Sequence, residues 1–373
     1  MYAPGGQFES GLSNLIGVEY TNLSKLDSYI PLEVKMILEY PEYFERFRCI
    51  GGSCPDTCCA GWEVDIDPDS TEYYKAVEGE FGDRLRKHIC EENGERFFPL
   101  TSENRCPFLN KKNLCDIYSN LGEESLCQTC TEYPRYFMDI GNYEQMDMSL
   151  SCMELGRIFY TETGRIEYIR SENDAEGDII TPEEQGTLIE VMALRNQCIS
   201  VMQDSTDGFS EKLKTVRALI SEAEGEDPDE KDRKRSFLKE DYVALTKLLE
   251  SMDSISLEWS EKLSAYKKIS ASSKELSKME TFASDNAENL DIWMSKTAVY
   301  FIFRYLIDTC LDGDPEVELC LIHRSLKLIY FMLFAEWLSK GSLDVTDMIY
   351  VSHLYSKQVE HDDGNIEKIK GLC

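Results

Sequence analysis

Ten of the fourteen cysteines in this chain fall between Cys49 and Cys152, leaving only Cys198, Cys310, Cys320 and Cys373 for the other half. No other feature restricts the fold as much. Inside a cell disulfides rarely persist, so a dense run of thiols points to metal ligation rather than to a disulfide framework. The first thirty residues lack a basic start followed by an apolar run, so no secretory leader is read there. The longest strongly apolar stretch, Leu328 to Leu338, is too short to span a bilayer and contains Glu336. The sequence therefore predicts a soluble, cytoplasmic protein without a membrane partner.

The thiols come in groups: Cys49, Cys54, Cys58 and Cys59 in CIGGSCPDTCC, then Cys106 and Cys115 in CPFLNKKNLC, Cys127 and Cys130 in CQTC, and Cys152 in SLSCMEL. Thiolates are soft donors that suit iron–sulfur clusters and zinc. Gly51, Gly52 and Pro55 supply turns that let closely spaced thiolates converge and let backbone amides face the sulfurs. Simple zinc sites favour two CxxC pairs, and only one is present here. A single pair, an adjacent Cys58-Cys59 and scattered single cysteines suit a cluster better, with zinc as the alternative metal. Spacing alone does not select the ligands among the nine. His88 and His361 are further candidate ligands, although a lone histidine is more often a surface or hydrogen-bonded residue.

Around this block the chain divides into three parts. Residues 1–35 read as a weakly ordered extension. Residues 36–170 form a cysteine-rich iron–sulfur domain, in which Trp62 to Ile66 alternates like a short strand and residues 70–90 look helical. A polar junction, 171–182, precedes a helical domain over 183–373. There Asp285 and Glu288 have capping-box spacing before an apolar helix from Leu290 to Leu311, and Leu326 to Lys340 forms a second helix ended by Gly341. The charged stretch 222–235 reads as a solvated loop. The expected fold is mainly α, a small irregular cysteine-rich metal domain followed by a C-terminal helical domain.

Charge narrows the partners. The formal net charge is −31, which repels phosphate over most of the surface, argues against nucleic acid and anionic membrane, and favours a cationic partner such as a lysine-bearing protein. A CxxxCxxC triplet, a GxGxxG loop, a P-loop and an HExxH helix are all missing from the sequence, so radical, dinucleotide, phosphate-loop and zincin chemistry have no motif here.

The runs FRCIGGSCPDTCCAGWEVDID, RCPFLNKKNLCDIYSNLGEESLCQTCTEYPR and LSCMELGR closely resemble the flagellin lysine-N-methylase (FliB-like) family. The cysteine block also resembles small zinc- or iron-chelating CxxCxxCC domains, which end soon after a segment like Cys130 to Pro134. The late segment YSKQVEHDDGN and the neighbourhood of Phe303, Arg304 and Tyr305 favour the methylase over a generic chelating domain. The resemblance covers residue 36 to the C-terminus. It departs from the family pattern at Met153, where that family reads SCPE, and at Ser356-Lys357-Gln358.

This resemblance implies methyl transfer from S-adenosylmethionine to flagellin lysines, with a [4Fe-4S] cluster in the core. Tyr355, Glu360 and His361 become the candidate catalytic residues, because a protonated lysine needs a base or a desolvating site before it can accept a methyl group. A non-catalytic metal-binding module (a cluster carrier, a redox sensor or a structural zinc protein) remains the alternative reading.

Overall fold

The computed structural model describes residues 35–162, 164–178, 180–225, 241–254 and 256–372. Nearly all of the expected N-terminal extension and most of the 222–235 loop lie outside these residues. The elements run in the order β1 (Lys35–Pro41), α1 (Tyr43–Arg46), β2 (Val64–Asp65), α2 (Pro68–Ala76), α3 (Gly79–His88), β3 (Cys90–Glu92), β4 (Glu95–Phe98), α4 (Asp116–Leu121), α5 (Gln128–Glu132), β5 (Arg135–Ile140), β6 (Tyr143–Met148), α6 (Met153–Thr161) and β7 (Tyr168–Glu176). Helices then follow one another: α7 (Pro182–Asp204), α8 (Phe209–Ala223), α9 (Tyr242–Glu250), α10 (Leu257–Ser270), α11 (Ser273–Leu276), α12 (Met279–Asp285), α13 (Ala287–Tyr305), α14 (Thr309–Asp312), α15 (Pro315–Lys340), α16 (Val345–Val359) and α17 (Asp363–Lys370). The fold is mainly α, as the sequence predicts.

Two small sheets interrupt the helices. One has the order β5-β6-β1-β7, with β1 parallel to β6 and antiparallel to β7. The other, β2-β4-β3, is antiparallel and lies inside the cysteine-rich region. The polar junction expected at 171–182 is in part the strand β7. It lies at the edge of its sheet, where a charged sequence such as RSEND is tolerated because one side of the strand has no neighbour to pair with.

Hydrophobic side chains gather into one large core and a smaller one. The large core joins Tyr43, Met148, Leu150 and the buried face of α6 to α13, α15 and α16. Helices α13 and α15 are apolar on most faces, as a helix must be when it is surrounded. Helix α15 starts at Pro315 behind Asp314, whose side chain accepts from the amides of Glu316 and Val317, and it ends at Gly341 in the left-handed conformation (φ 82°). The expected capping box at Asp285 is not formed. Asp285 closes α12, and α13 starts after Asn286 without a side-chain cap. The smaller core is built on Val64, Ile66, Tyr74, Leu85, Phe98, Phe108 and Ile117 and includes five of the candidate cysteines.

A buried polar anchor joins the first sheet to the helices. Arg195 of α7 donates to Tyr143 Oη at 2.9 Å and Gln145 Oε1 at 2.5 Å, and it pairs with Glu39 of β1. All four side chains are buried. Each charge is compensated within the network, the condition under which buried ions are tolerated.

Candidate functional site

The loop from Cys49 to Glu63 brings the first thiols to the face of the helical core. Gly51 adopts φ 53°, a conformation open to glycine, and its amide donates to Cys49 Sγ at 3.3 Å. Gly52 presses on the segment 112–114, where an added Cβ would stand 3.0 Å from Lys112 O. Cys54 Sγ donates to Asp56 O at 2.8 Å.

Helix α16 clasps this loop through Asp56. The carboxylate meets His353 Nε2 at 2.7 Å and Lys357 Nζ at 2.7 Å. The other ring nitrogen of His353 reaches Ser151 O at 2.7 Å. Both ring nitrogens thus face oxygen atoms. Burial alone would raise the pKa of Asp56, but the hydrogen bond from His353 and the charge and hydrogen bond of Lys357 outweigh it and hold the carboxyl at about 2. Because this pKa is depressed, the stability it contributes is present above the ordinary value of 3.8 and is lost as pH falls toward 2.

The nine predicted cysteine ligands separate into two sets. Cys54 has Cys49 as a charge neighbour, Cys58 has Cys49 and Cys152, and Cys152 has Cys54 and Cys49. Cys106 instead neighbours Cys59, Cys115 and Cys127, and Cys130 neighbours Cys127, Cys59 and Cys106. Cys58 and Cys59 hydrogen-bond to each other where the sets meet.

The donor chemistry of the first set fits a [4Fe-4S] cluster. It offers four thiols, Cys49, Cys54, Cys58 and Cys152, all unoxidised. Cys152 stands at the N-cap of α6. Burial pushes its thiol up to about 11, opposed by the polarity of the nearby Leu155 and Glu154 amides. Among the described residues no group of three or more Cys, His, Asp or Glu side chains is placed to hold a metal ion. Cys320, far along the chain, is disulfide-bonded.

Three rings border the first set. Trp62, Tyr133 and His361 lie at the corners of a near-equilateral triangle, with centroids 5.8 Å (Trp62 to His361), 5.9 Å (Tyr133 to His361) and 6.1 Å (Trp62 to Tyr133) apart. Trp62 Nε1 donates to Cys58 O at 2.7 Å, and Tyr133 Oη bonds Ser151 Oγ at 3.0 Å, one residue before Cys152. Trp62 and Tyr133 are half-buried and His361 is exposed. The packing of the two rings, then the positive charges of Arg304, Lys357 and His353, lower the His361 imidazole to about 4, so it is neutral at pH 7.

The predicted catalytic residues part company here. Glu360 and His361 are consecutive but face different surroundings. Glu360 turns inward to accept from Tyr305 Oη at 2.8 Å and Tyr300 Oη at 3.0 Å, from Ser356, and from Arg304 Nε at 3.4 Å. Burial raises its pKa, opposed by Arg304 and the two tyrosines. Arg304 also pairs with Asp147 at 3.3 Å and lies over the ring of Tyr136, 4.4 Å from its centroid. Two buried carboxylates thus share one guanidinium. Burial, only partly offset by Arg304, leaves Asp147 at about 6. Tyr355 stands apart from both: it is buried, donates to Ser325 Oγ of α15 at 2.8 Å and packs edge-on to Phe301.

The sequence pattern did not single out Trp62, Tyr133, Asp56, His353 or Asp147. A signal existed for the first three: each lies within five residues of a cysteine in the motif runs. Asp147, five residues before Cys152, lies just outside the motif run, and His353 carried no such signal.

Residues 195–373 match the family described as the FliB lysine N-methylase C-terminal domain. The chain is 29% identical over 126 residues to the flagellar biosynthetic protein FliU of Salmonella muenchen, covering 31% of this chain and 72% of that protein. It has the same identity, over the same length and share of this chain, to proteins named lysine-N-methylase from Salmonella typhimurium and Salmonella choleraesuis, of each of which the match spans only 30%. No solved structure matches. None of the helices among the described residues is long and apolar enough to cross a membrane. Over its C-terminal part, and over 31% of its length, the chain is therefore similar to FliB-type lysine-N-methylases.

Proposed function

We propose that this chain is a protein-lysine N-methyltransferase that moves the methyl group of S-adenosylmethionine to lysine side chains of flagellin. The observation that carries the reading is the aromatic triangle: two of its rings come from the cysteine-rich region and the third, His361, from the matched C-terminal domain, and it lies against Cys58 and Cys152. Neutral aromatic faces attract a cation, a sulfonium or an ammonium alike, by about 0.5–2 kcal/mol.

The chemistry is a polar displacement. The lysine nitrogen forms a bond to the methyl carbon as the carbon–sulfur bond breaks, and the bonding pair stays on sulfur, giving a neutral thioether. The nitrogen must first lose a proton. A free lysine is neutral about once in 2,500 molecules at pH 7, a cost of about 4.6 kcal/mol. The half-buried rings lower that cost by desolvating the ammonium. His361, neutral and accessible, completes the aromatic wall, and the proton leaves to water, since an imidazole held at about 4 is a weak base. Glu360 is committed to four donors, so its part is to fix Arg304 and the end of α16, and Tyr355 packs the helix behind them. Cys49, Cys54, Cys58 and Cys152 would hold a [4Fe-4S] cluster, which when bound supplies a fixed thiolate-ligated charge centre beside the rings.

The test is a methylation assay with purified flagellin and protein prepared without oxygen. One S-adenosylhomocysteine per methyl group on lysine supports the reading. Accumulation of 5′-deoxyadenosine would overturn the polar mechanism, and no methylated lysine at full metal loading would overturn the activity.

A further inference from the structure

The first sheet ends differently on its two sides. Its order β5-β6-β1-β7 leaves β5 and β7 as the edges. Edge strands present unpaired main-chain groups and are commonly guarded by charge. Arg170 and Glu172 guard β7 in this way. β5 instead carries Tyr136-Phe137-Met138 at its centre, and Tyr136 and Phe137 are each 38% exposed.

The hairpin fixes which β5 amides point outward. Gly141 (φ 60°) and Asn142 form the two-residue turn between β5 and β6, and Ile140 faces Tyr143 across it. The pair flanking a two-residue turn exchanges main-chain hydrogen bonds, and such pairs then alternate along the ladder. Ile140, Met138 and Tyr136 therefore aim their amides and carbonyls at β6. Phe137 and Asp139 aim theirs away from it, and among the described residues neither makes a main-chain hydrogen bond to another segment.

The side chains beside this open edge select a partner. Phe137 packs edge-on to Phe44, with centroids 6.3 Å apart, and keeps part of its ring open. Asp139 lies directly opposite Glu144 on the same face, and neither carboxylate has a cationic partner among the described residues. Like charges facing each other destabilise a ladder, so a cation arriving between them is favoured. On the other face, Asp308 and Asp363 add negative charge near Tyr136. Arg135, the cation at the far end of β5, is turned onto the rings of Phe44 and Phe47. Tyr133 of the aromatic triangle stands two residues before it.

We propose that the open edge of β5 is the docking strand for the protein substrate: an extended, lysine-bearing segment of flagellin adds to it as a further strand, and its acceptor lysine reaches the triangle past Arg135. The main chain of Phe137 and Asp139 supplies the pairing, as in other strand additions to a sheet edge. A basic residue of the segment sits across from Asp139 and Glu144, and an apolar one lies against Phe137. Naming flagellin rests on the methyltransferase reading; the open edge does not.

The experiment is hydrogen exchange resolved to single amides, on the full chain with and without purified flagellin and without S-adenosylmethionine. In the free protein the amides of Phe137 and Asp139 should exchange about tenfold or more faster than those of Tyr136 and Met138, and saturating flagellin should slow both by about tenfold or more. Absence of flagellin binding, or binding that leaves both amides fast, overturns the proposal. So does slow exchange at both before flagellin is added, since the edge is then already covered: by residues 1–34 if their deletion restores fast exchange, by a second copy if dilution does. Kinetics give a second check. Phe137→Pro deletes an outward amide that β6 does not use, and Phe137→Val keeps it. The proline variant should show a KM for flagellin about 3- to 10-fold above that of the valine variant at equal kcat; equal KM values overturn the docking. Flagellin that slows both amides yet gains no methyl group would leave the docking strand standing and remove the methyltransferase reading.

Discussion

At the scale of single residues, the site depends on rings and on two buried carboxylates, Asp147 and Glu360, that share one guanidinium. Trp62→Ala should lower kcat/KM for flagellin methylation by about 3- to 30-fold, the range expected when one ring face of a cation site is lost. Trp62→Phe should restore most of that loss, and a radiolabelled methyl-transfer assay reads both. Asp147 gives a pH signature. Its folded pKa of about 6 lies above the ordinary 3.8, so the unfolded chain binds fewer protons between these values and stability falls as pH rises through that window. Denaturant midpoints of the wild type should decline from pH 4 to pH 6 relative to those of Asp147→Asn, which lacks the titrating group. An equal slope in the two proteins would show that Arg304 compensates Asp147 fully.

At the scale of elements, α16 does most of the positioning. His353 and Lys357 lie one turn apart on it and hold Asp56 on the cysteine loop. Lys357→Met should loosen that loop without unfolding the core, because the pair is partly exposed and screened. Amide hydrogen exchange over residues 49–63 should quicken several-fold while α13 and α15 keep their protection. The sequence made the long helices readable, because burial on all sides leaves an uninterrupted apolar run, and the Lys340-Gly341 ending was readable from cap chemistry alone. It also made the short strand at Val64 readable. It did not reveal β7, whose polar residues suit an edge strand as well as a linker, nor the true start of α13, because Asp285 and Glu288 have the spacing of a capping box while belonging to two different helices. The cysteines stood out as a pool, but their partition depends on which loops fold against which core. The aromatic triangle was hidden for the same reason: Trp62, Tyr133 and His361 meet only after the two cores dock.

At the scale of the whole molecule, the dominant quantity is the net charge of −31. An acidic surface draws lysine-bearing partners toward it and also raises the pKa of any lysine that arrives, so it aids encounter and opposes the chemistry. Salt should separate the two effects. Raising ionic strength from about 0.05 to 0.3 M shortens the screening length to roughly half, which should lower kcat/KM several-fold while leaving kcat unchanged or slightly higher. Stopped-flow or initial-rate kinetics on flagellin would show whether kcat falls instead, the outcome that places the acidic groups inside the reacting site.

The clasp and the triangle also fix what lengths this chain can vary. His353 and Lys357 lie one turn apart on α16, and His361 follows four residues later, just past the C-cap Glu360, while Tyr355 and Val359 fill the core behind the helix. One residue inserted between 353 and 361 would swing everything after it by about 100° and advance it by about 1.5 Å, taking His361 out of the triangle while the clasp stayed in place. Length changes in relatives of this chain should accordingly gather in the surface loops and spare this two-turn interval, which acts as a ruler between the thiol loop and the His361 ring.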